Sequence, residues 1–127
     1  MIKTGILNPN LNALIARVRH TNTLVIADRG FPFWPQIEIV DLSLVDDVPT
    51  VLQVINALLP NFSVGKAWMA NEFREHNSAT VVASFVAALP VINFEPHVEF
   101  KRRVPGAIGL IRTGDTIPYA NVIIESA

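Results

Sequence analysis

The sequence predicts one layered α/β domain with a mostly parallel sheet, and three observations support that prediction. Helical and strand patterns alternate along the whole chain, which is the order expected of βαβ units. The run Thr23–Ala27 is continuously apolar or β-branched, as is typical of a strand buried on both faces. The length of 127 residues suits one folding unit, so we expect residues 1–127 to form a single domain.

Cap residues and turn residues divide the chain into its expected elements. Helices are predicted to begin at Asn8–Pro9 and at Asp47, because asparagine and aspartate are good N-caps and proline fits a first helical turn. A third helix is predicted to begin at Asn71 or at Asn77. The short connection before the last strand allows that strand to run antiparallel. The expected strands are residues 23–27, 37–40, 64–70, 91–94, 107–111 and 121–124, with a short helix over 96–103.

The composition excludes several classes of protein. Half of the residues are hydrophobic and 17% are charged, which excludes an intrinsically disordered chain. Ten basic residues against eleven acidic ones leave no positive excess, so no nucleic-acid partner is expected. The absence of cysteine excludes disulfides and thiolate catalysis. The longest apolar stretch, residues 79–94, is interrupted and too short to span a membrane, and the N-terminus lacks an apolar signal core, so a cytoplasmic location is expected.

The high apolar fraction also bears on assembly. A chain with so few charges favours burial of surface against copies of itself, since obligate interfaces resemble a domain core cut in half. A well-filled monomer core is the alternative, and composition alone does not separate the two.

Polar side chains follow the predicted strands at the points where these strands end. Asp28 follows the first strand, Asn71 and Glu72 follow the third, and His97 comes shortly after the fourth. Ligands of open α/β sheets bind outside the carboxyl ends of the strands, so these positions predict a polar cleft. The alternative for Asp28 is a structural one, because a strand-end aspartate often accepts backbone hydrogen bonds in the following turn.

The three histidines, His20, His76 and His97, are the side chains best able to exchange protons near neutral pH. His20 lies just past the first helix, where a cation is also favoured by the helix dipole. His76 lies in a charged helical stretch and is interpreted as a surface residue. No histidine pair has metal-ligand spacing and no glycine-rich nucleotide motif occurs, so neither a metal nor another cofactor is expected.

Seven segments carry a resemblance over nearly the whole length of the chain: residues 3–8, 20–22, 28–32, 41–44, 97–101 and 111–115, followed by 118–121. In sequence and in order, they resemble the ribose pyranase/fucose mutarotase family. One departure is the loop after Asp28, where Arg29 replaces a small or aliphatic residue and Phe31, Phe33 and Trp34 add aromatic surface. Aromatic faces suit the apolar side of a sugar, so this loop is expected to affect specificity.

The resemblance implies a three-layer α/β/α fold that assembles into rings, commonly a decamer of two stacked pentamers, with sugar clefts between subunits. It implies a cofactor-free isomerase that interconverts pyranose, furanose and anomeric forms of a free monosaccharide, with D-ribose favoured by residues 41–44. The alternatives are a fucose-type mutarotase and a non-catalytic sugar-binding accessory protein for uptake or regulation. By position, the resemblance makes His20 the proton donor and assigns sugar binding to Asp28, His97, Tyr119 and Asn121, and more weakly to Lys101.

The general base stays open among Asp28, His97 and a water molecule. The five-residue strand 23–27 separates His20 from Asp28 by about 17 Å at ~3.3 Å per residue. We therefore expect the two residues to share one sugar only if they come from different subunits.

Overall fold

A six-stranded sheet forms the centre of the computed structural model, which describes residues 1–127. Five helices flank this sheet, with two short 3-10 turns at Leu59–Asn61 and Val104–Gly106. The helices are α1 (Pro9–Ile15), α2 (Val51–Leu58), α3 (Asn71–His76), α4 (Ala79–Ala88) and α5 (His97–Arg103). The strands are β1 (Thr23–Ala27), β2 (Glu38–Asp41), β3 (Val64–Ala70), β4 (Ile92–Glu95), β5 (Gly109–Arg112) and β6 (Val122–Ser126).

The sheet is mostly parallel, as predicted. Its strand order is β2-β5-β1-β6-β3-β4, and the pairs β1–β5, β2–β5 and β3–β4 are parallel. Strand β6 runs antiparallel to both β1 and β3. The residues just before β6 therefore lie at the edge of the sheet where the five parallel strands end. We call this edge the carboxyl end of the sheet.

Helices cover both faces of the sheet, which confirms the three-layer α/β/α architecture. Successive residues of a strand point to opposite faces. Leu24 and Ile26 accordingly belong to the core shared with α1 to α4, whereas Val25 belongs to the core on the other face. That second core contains Phe100 of α5 and is bordered by the loop that carries Trp34. None of the five helices combines the length and the apolar character needed to cross a membrane.

The helix starts confirm one prediction and correct two. Asn8 caps α1, because its side-chain oxygen accepts the N–H of Leu11 at 2.9 Å. Asp47 does not cap α2. Thr50 does so, through a capping box in which Thr50 Oγ1 accepts the Gln53 N–H and Gln53 Oε1 accepts the Thr50 N–H.

Asp47 holds the loop that contains Thr116 instead of capping a helix, and the third predicted helix is divided into two helices. Asp47 lies in the left-handed region at φ 62° and accepts hydrogen bonds from the N–H and the hydroxyl of Thr116.

Helix α3 begins at Asn71 and stops at His76, after which Ser78 caps α4. Strands β2, β4, β5 and β6 differ from their predicted bounds by one or two residues at each end.

Replacing the buried Asp115 by asparagine is expected to lower the free energy of unfolding by about 2–3 kcal/mol, because hydrogen bonds to a charged acceptor contribute ~1.5–3 kcal/mol. Its two oxygens accept the N–H groups of Val51 and Ile117 at 2.9 and 2.8 Å. An asparagine would turn one oxygen into an N–H donor that faces another donor.

The measurement is urea unfolding at one fixed protein concentration, since subunit association affects apparent stability. Asp46→Asn is the matched control: the Asp46 side chain is 63% exposed and pairs with Arg29, so its loss should cost within about 0.5 kcal/mol. Equal stability of the two variants would show that the hydrogen bonds of Asp115 to Val51 and Ile117 do not stabilise the packing of α2 against the loop before β6.

Candidate functional site

The carboxyl end of the sheet brings together four of the six site residues predicted from the sequence. Asp28 directly follows β1, and His97 begins α5 shortly after β4. Tyr119 and Asn121 precede β6, which enters at the same end because it is antiparallel. We call these four residues the Asp28 cluster. Their convergence follows from strand direction, since residues far apart in sequence meet wherever their strands stop or start.

Asp28 is held in a fixed geometry and is partly withdrawn from water. Its backbone N–H donates to the side-chain oxygen of Asn121 at 2.8 Å, and its Oδ1 accepts the N–H of Gly30 at 2.9 Å. Burial raises the pKa of the Asp28 carboxyl above its ordinary value, and the charge of Asp115 acts in the same direction. Hydrogen bonds from Gly30, Asn121 and Phe31 oppose this rise. The carboxyl group therefore keeps a proton to higher pH than an exposed aspartate does.

His97 is packed in an aromatic environment. Its ring stacks on Phe100 at 6.0 Å and meets Phe31 and Tyr119 edge-on at 6.3 and 5.1 Å between ring centres. Its Nε2 is buried and has no hydrogen-bond partner within the chain. Buried polar atoms are nearly always paired in folded proteins, so an unpaired one at the end of a sheet suits a ligand contact.

The surroundings of His97 also favour its neutral form. Burial lowers the pKa of the imidazole, and the positive charge of Lys101 lowers it further. The carboxylates of Glu72 and Asp28 act against these two effects. The shifts of Asp28 and His97 are opposite in direction, so they bring the two pKa values towards each other.

Asn121 and Lys101 occupy different positions relative to the cluster. Asn121 is 4% exposed, and its side-chain oxygen holds the backbone of Asp28. Lys101 lies one turn after His97 on α5 and lines a cavity of about 570 Å³ together with Trp34 and Arg102. Asn121 thus positions Asp28, while Lys101 acts on His97 through its charge.

His76 is exposed, as the sequence predicts, and it also lies beside the cluster. Its ring centre is 5.2 Å from that of Tyr119, which is therefore flanked by His76 and His97. The Nδ1 of His76 lies 2.9 Å from the carbonyl oxygen of Glu72. The one sequence signal for this placement is the position of α3 directly after β3, at the carboxyl end of the sheet.

His20 is not part of the cluster within one chain. It is exposed and lies before β1, at the opposite end of the sheet. The neighbouring Thr21 donates its N–H to the carbonyl of Ser126, at the far end of β6. Strand β1 alone separates His20 from Asp28 by about 17 Å at ~3.3 Å per residue.

The cleft beside Asp28 is small in one chain. It measures about 160 Å³ and is bordered by Asp115, Thr116 and Pro118. A larger cavity of about 490 Å³ lies nearby, between Phe31, Phe33 and Arg112. Clefts that bury a small molecule usually measure ~300–1,000 Å³. The cleft beside Asp28 is therefore smaller in one chain than the clefts that usually bury a small molecule.

Comparison with known proteins places the chain in a family. The sequence pattern of the RbsD / FucU transport protein family matches residues 1–127. The chain belongs to this family. A D-ribose pyranase of Laribacter hongkongensis is 41% identical over 128 residues, which cover 99% of this chain and 97% of that protein. The resemblance found in the sequence is thereby confirmed, and so is the prediction of an isomerase-type enzyme.

Solved structures support the same placement. The structure of Bacillus subtilis RbsD complexed with D-ribose matches with a TM-score of 0.93 and 32% identity, covering 100% of this chain and 98% of that one. The fucose mutarotase of Streptococcus pneumoniae in complex with L-fucose matches with a TM-score of 0.79, covering 94% and 92% of the two chains. At 16% identity, this second likeness concerns the fold alone.

Proposed function

We propose that the protein interconverts the pyranose and furanose forms, and the anomers, of a free monosaccharide, with D-ribose as the preferred sugar. The observation that carries the proposal is the Asp28 cluster itself. It places a carboxyl group and a neutral imidazole, with pKa values shifted towards each other, at one end of the sheet. The preference for ribose is supported by the relatives named D-ribose pyranase and by the ribose complex of Bacillus subtilis RbsD.

The reaction needs two proton transfers. Ring opening removes a proton from the anomeric hydroxyl and delivers one to the ring oxygen, and ring closure reverses both transfers. Each is a general acid–base step that typically contributes ~10²–10⁴-fold in rate. We assign the proton donor to His20 and sugar binding to Asp28, His97 and Tyr119, while Asp28 and His97 are both candidates for the base.

We further propose that the working site lies between two subunits. His20 lies at the wrong end of the sheet for the cleft of its own chain. The 160 Å³ cleft beside Asp28 also needs a second wall to enclose a sugar. A neighbouring subunit would supply both the second wall of the cleft and its own His20. Such contacts occur in a closed assembly, such as the decamer expected from the family resemblance.

The proposal predicts that the protein accelerates exchange between the ring forms of D-ribose. The measurement is saturation-transfer NMR on unlabelled D-ribose, L-fucose and D-galactose, with and without protein. Exchange of ribose should rise in proportion to protein concentration and exceed that of the other two sugars. Acceleration of fucose alone would instead assign a fucose-type mutarotase. Binding of sugar without acceleration would indicate the non-catalytic accessory role.

A further inference from the structure

Glu72 connects α3 to the first residue of α5. Its carboxylate accepts the backbone N–H of His97 with both oxygens, at 3.1 and 3.0 Å. Pro96, the residue at the N-cap of α5, makes no side-chain hydrogen bond to the first turn. Glu72 therefore provides, from another helix, the acceptor that a capping side chain usually provides. Because this contact is made to the backbone of His97, it fixes the point from which the imidazole projects.

Glu72 also holds the second histidine of this region. Its backbone carbonyl faces Nδ1 of His76 at 2.9 Å. A carbonyl oxygen only accepts hydrogen bonds, so Nδ1 of His76 carries the proton in this contact. The rings of His76 and His97 flank Tyr119 at 5.2 and 5.1 Å. One residue thus anchors both imidazoles that border the tyrosine.

We propose that Glu72 is a positioning residue of the sugar site, which fixes His97 through the start of α5 and His76 through its own carbonyl. The proposal rests on the proposed function, because it concerns the same site. Glu72 acts through the two histidines and need not contact the sugar.

The charge of Glu72 gives this role a measurable consequence. The charged groups that face His97 are Glu72 on α3, Lys101 on α5 and Asp28 after β1. Tyr119 packs edge-on against the His97 ring, and His76 packs against Tyr119. Glu72 raises the pKa of His97, against the lowering by burial and by Lys101. Removing this carboxylate should therefore lower the pKa of His97 further. A role confined to folding stability would not produce that shift.

Two substitutions separate the charge from the hydrogen bond. Glu72→Gln keeps an oxygen that accepts the His97 N–H but removes the charge, whereas Glu72→Ala removes both. Glu75→Gln is the matched control, because Glu75 is exposed on the same helix, whereas the hydrogen bonds to the His97 N–H come from Glu72. The imidazole of His97 is titrated by NMR without sugar, and the rate of ribose exchange is measured in parallel.

In Glu72→Gln, His97 should titrate at lower pH than in the wild type, and exchange should fall less than in Glu72→Ala, because the acceptor of the His97 N–H is kept. In Glu72→Ala, exchange should fall by ten-fold or more, while Glu75→Gln matches the wild type in both measurements. An unchanged titration of His97 in Glu72→Gln would overturn the proposal, even if Glu72→Ala does not fold. If the wild type shows no exchange, the proposed function fails, and the titration still decides separately whether Glu72 controls His97.

Discussion

Replacing Asp28 by asparagine is expected to slow ribose ring-form exchange by about 10²–10⁴-fold, the usual contribution of an acid–base group. Asparagine keeps the oxygen that accepts the Gly30 N–H, so the loop geometry should persist. It cannot take up or release a proton, and it cannot accept sugar hydroxyls with two oxygens. The loss should appear in the exchange rate measured by saturation-transfer NMR at pH 7.

The same substitution should leave the protein at least as stable at pH 7. Burial raises the pKa of Asp28 above 3.8, so the folded state binds the proton more tightly than the unfolded state does. Stability is therefore lost as pH rises through the interval between the unfolded and the folded pKa, and it stays lower above it. Asparagine does not ionise, so it does not cause this loss of stability. Urea unfolding at pH 7 should give a free energy of unfolding equal to or above that of the wild type, and an inactive but clearly destabilised variant would contradict this explanation.

Replacing His20 by glutamine is expected to produce a comparable loss of exchange, about 10²–10⁴-fold, because it removes the proposed proton donor. His20 is exposed in the single chain and makes no hydrogen bond to the Asp28 cluster, so the fold of each subunit should be unaffected. Ribose should still bind, since Asp28, His97 and Tyr119 remain.

The measurement for His20→Gln combines exchange with ribose binding, both followed by NMR. Persistent binding with lost exchange supports a proton-transfer role. Wild-type exchange in this variant would remove His20 from the mechanism, and loss of both binding and assembly would instead indicate a role at the subunit interface.

The positions of Asp28 and His97 could be predicted because a general rule connects them to the fold. Both follow strands of a mostly parallel sheet, and such positions meet at one end of the sheet. Tyr119 and Asn121 required one more fact, the antiparallel direction of β6. The short connection before β6 allowed that direction but did not require it, so their place in the site came from the resemblance.

His76 and Glu72 could not be assigned their roles from the sequence. Their contacts with Tyr119 and with the N–H of His97 depend on how α3 packs beside α5 and the loop before β6. Charged residues on a short helix are usually solvated, and nothing in their spacing indicates a partner 25 residues away for Glu72. The cap of α2 is a different case, because Thr50 and Gln53 have the spacing of a capping box and could have been identified from the sequence in place of Asp47.

A mixing experiment tests whether His20 of one subunit serves the cleft that contains Asp28 of another subunit. His20→Gln and Asp28→Asn proteins, one of them isotopically labelled, are dissociated together and reassembled, and native mass spectrometry verifies the mixed oligomers. In a random 1:1 mixture about a quarter of the clefts combine a wild-type His20 with a wild-type Asp28. We predict that ribose exchange recovers to about a quarter of the wild-type rate, by this arithmetic for an oligomer with intersubunit sites. Verified mixed oligomers that stay as inactive as either parent would contradict the intersubunit site.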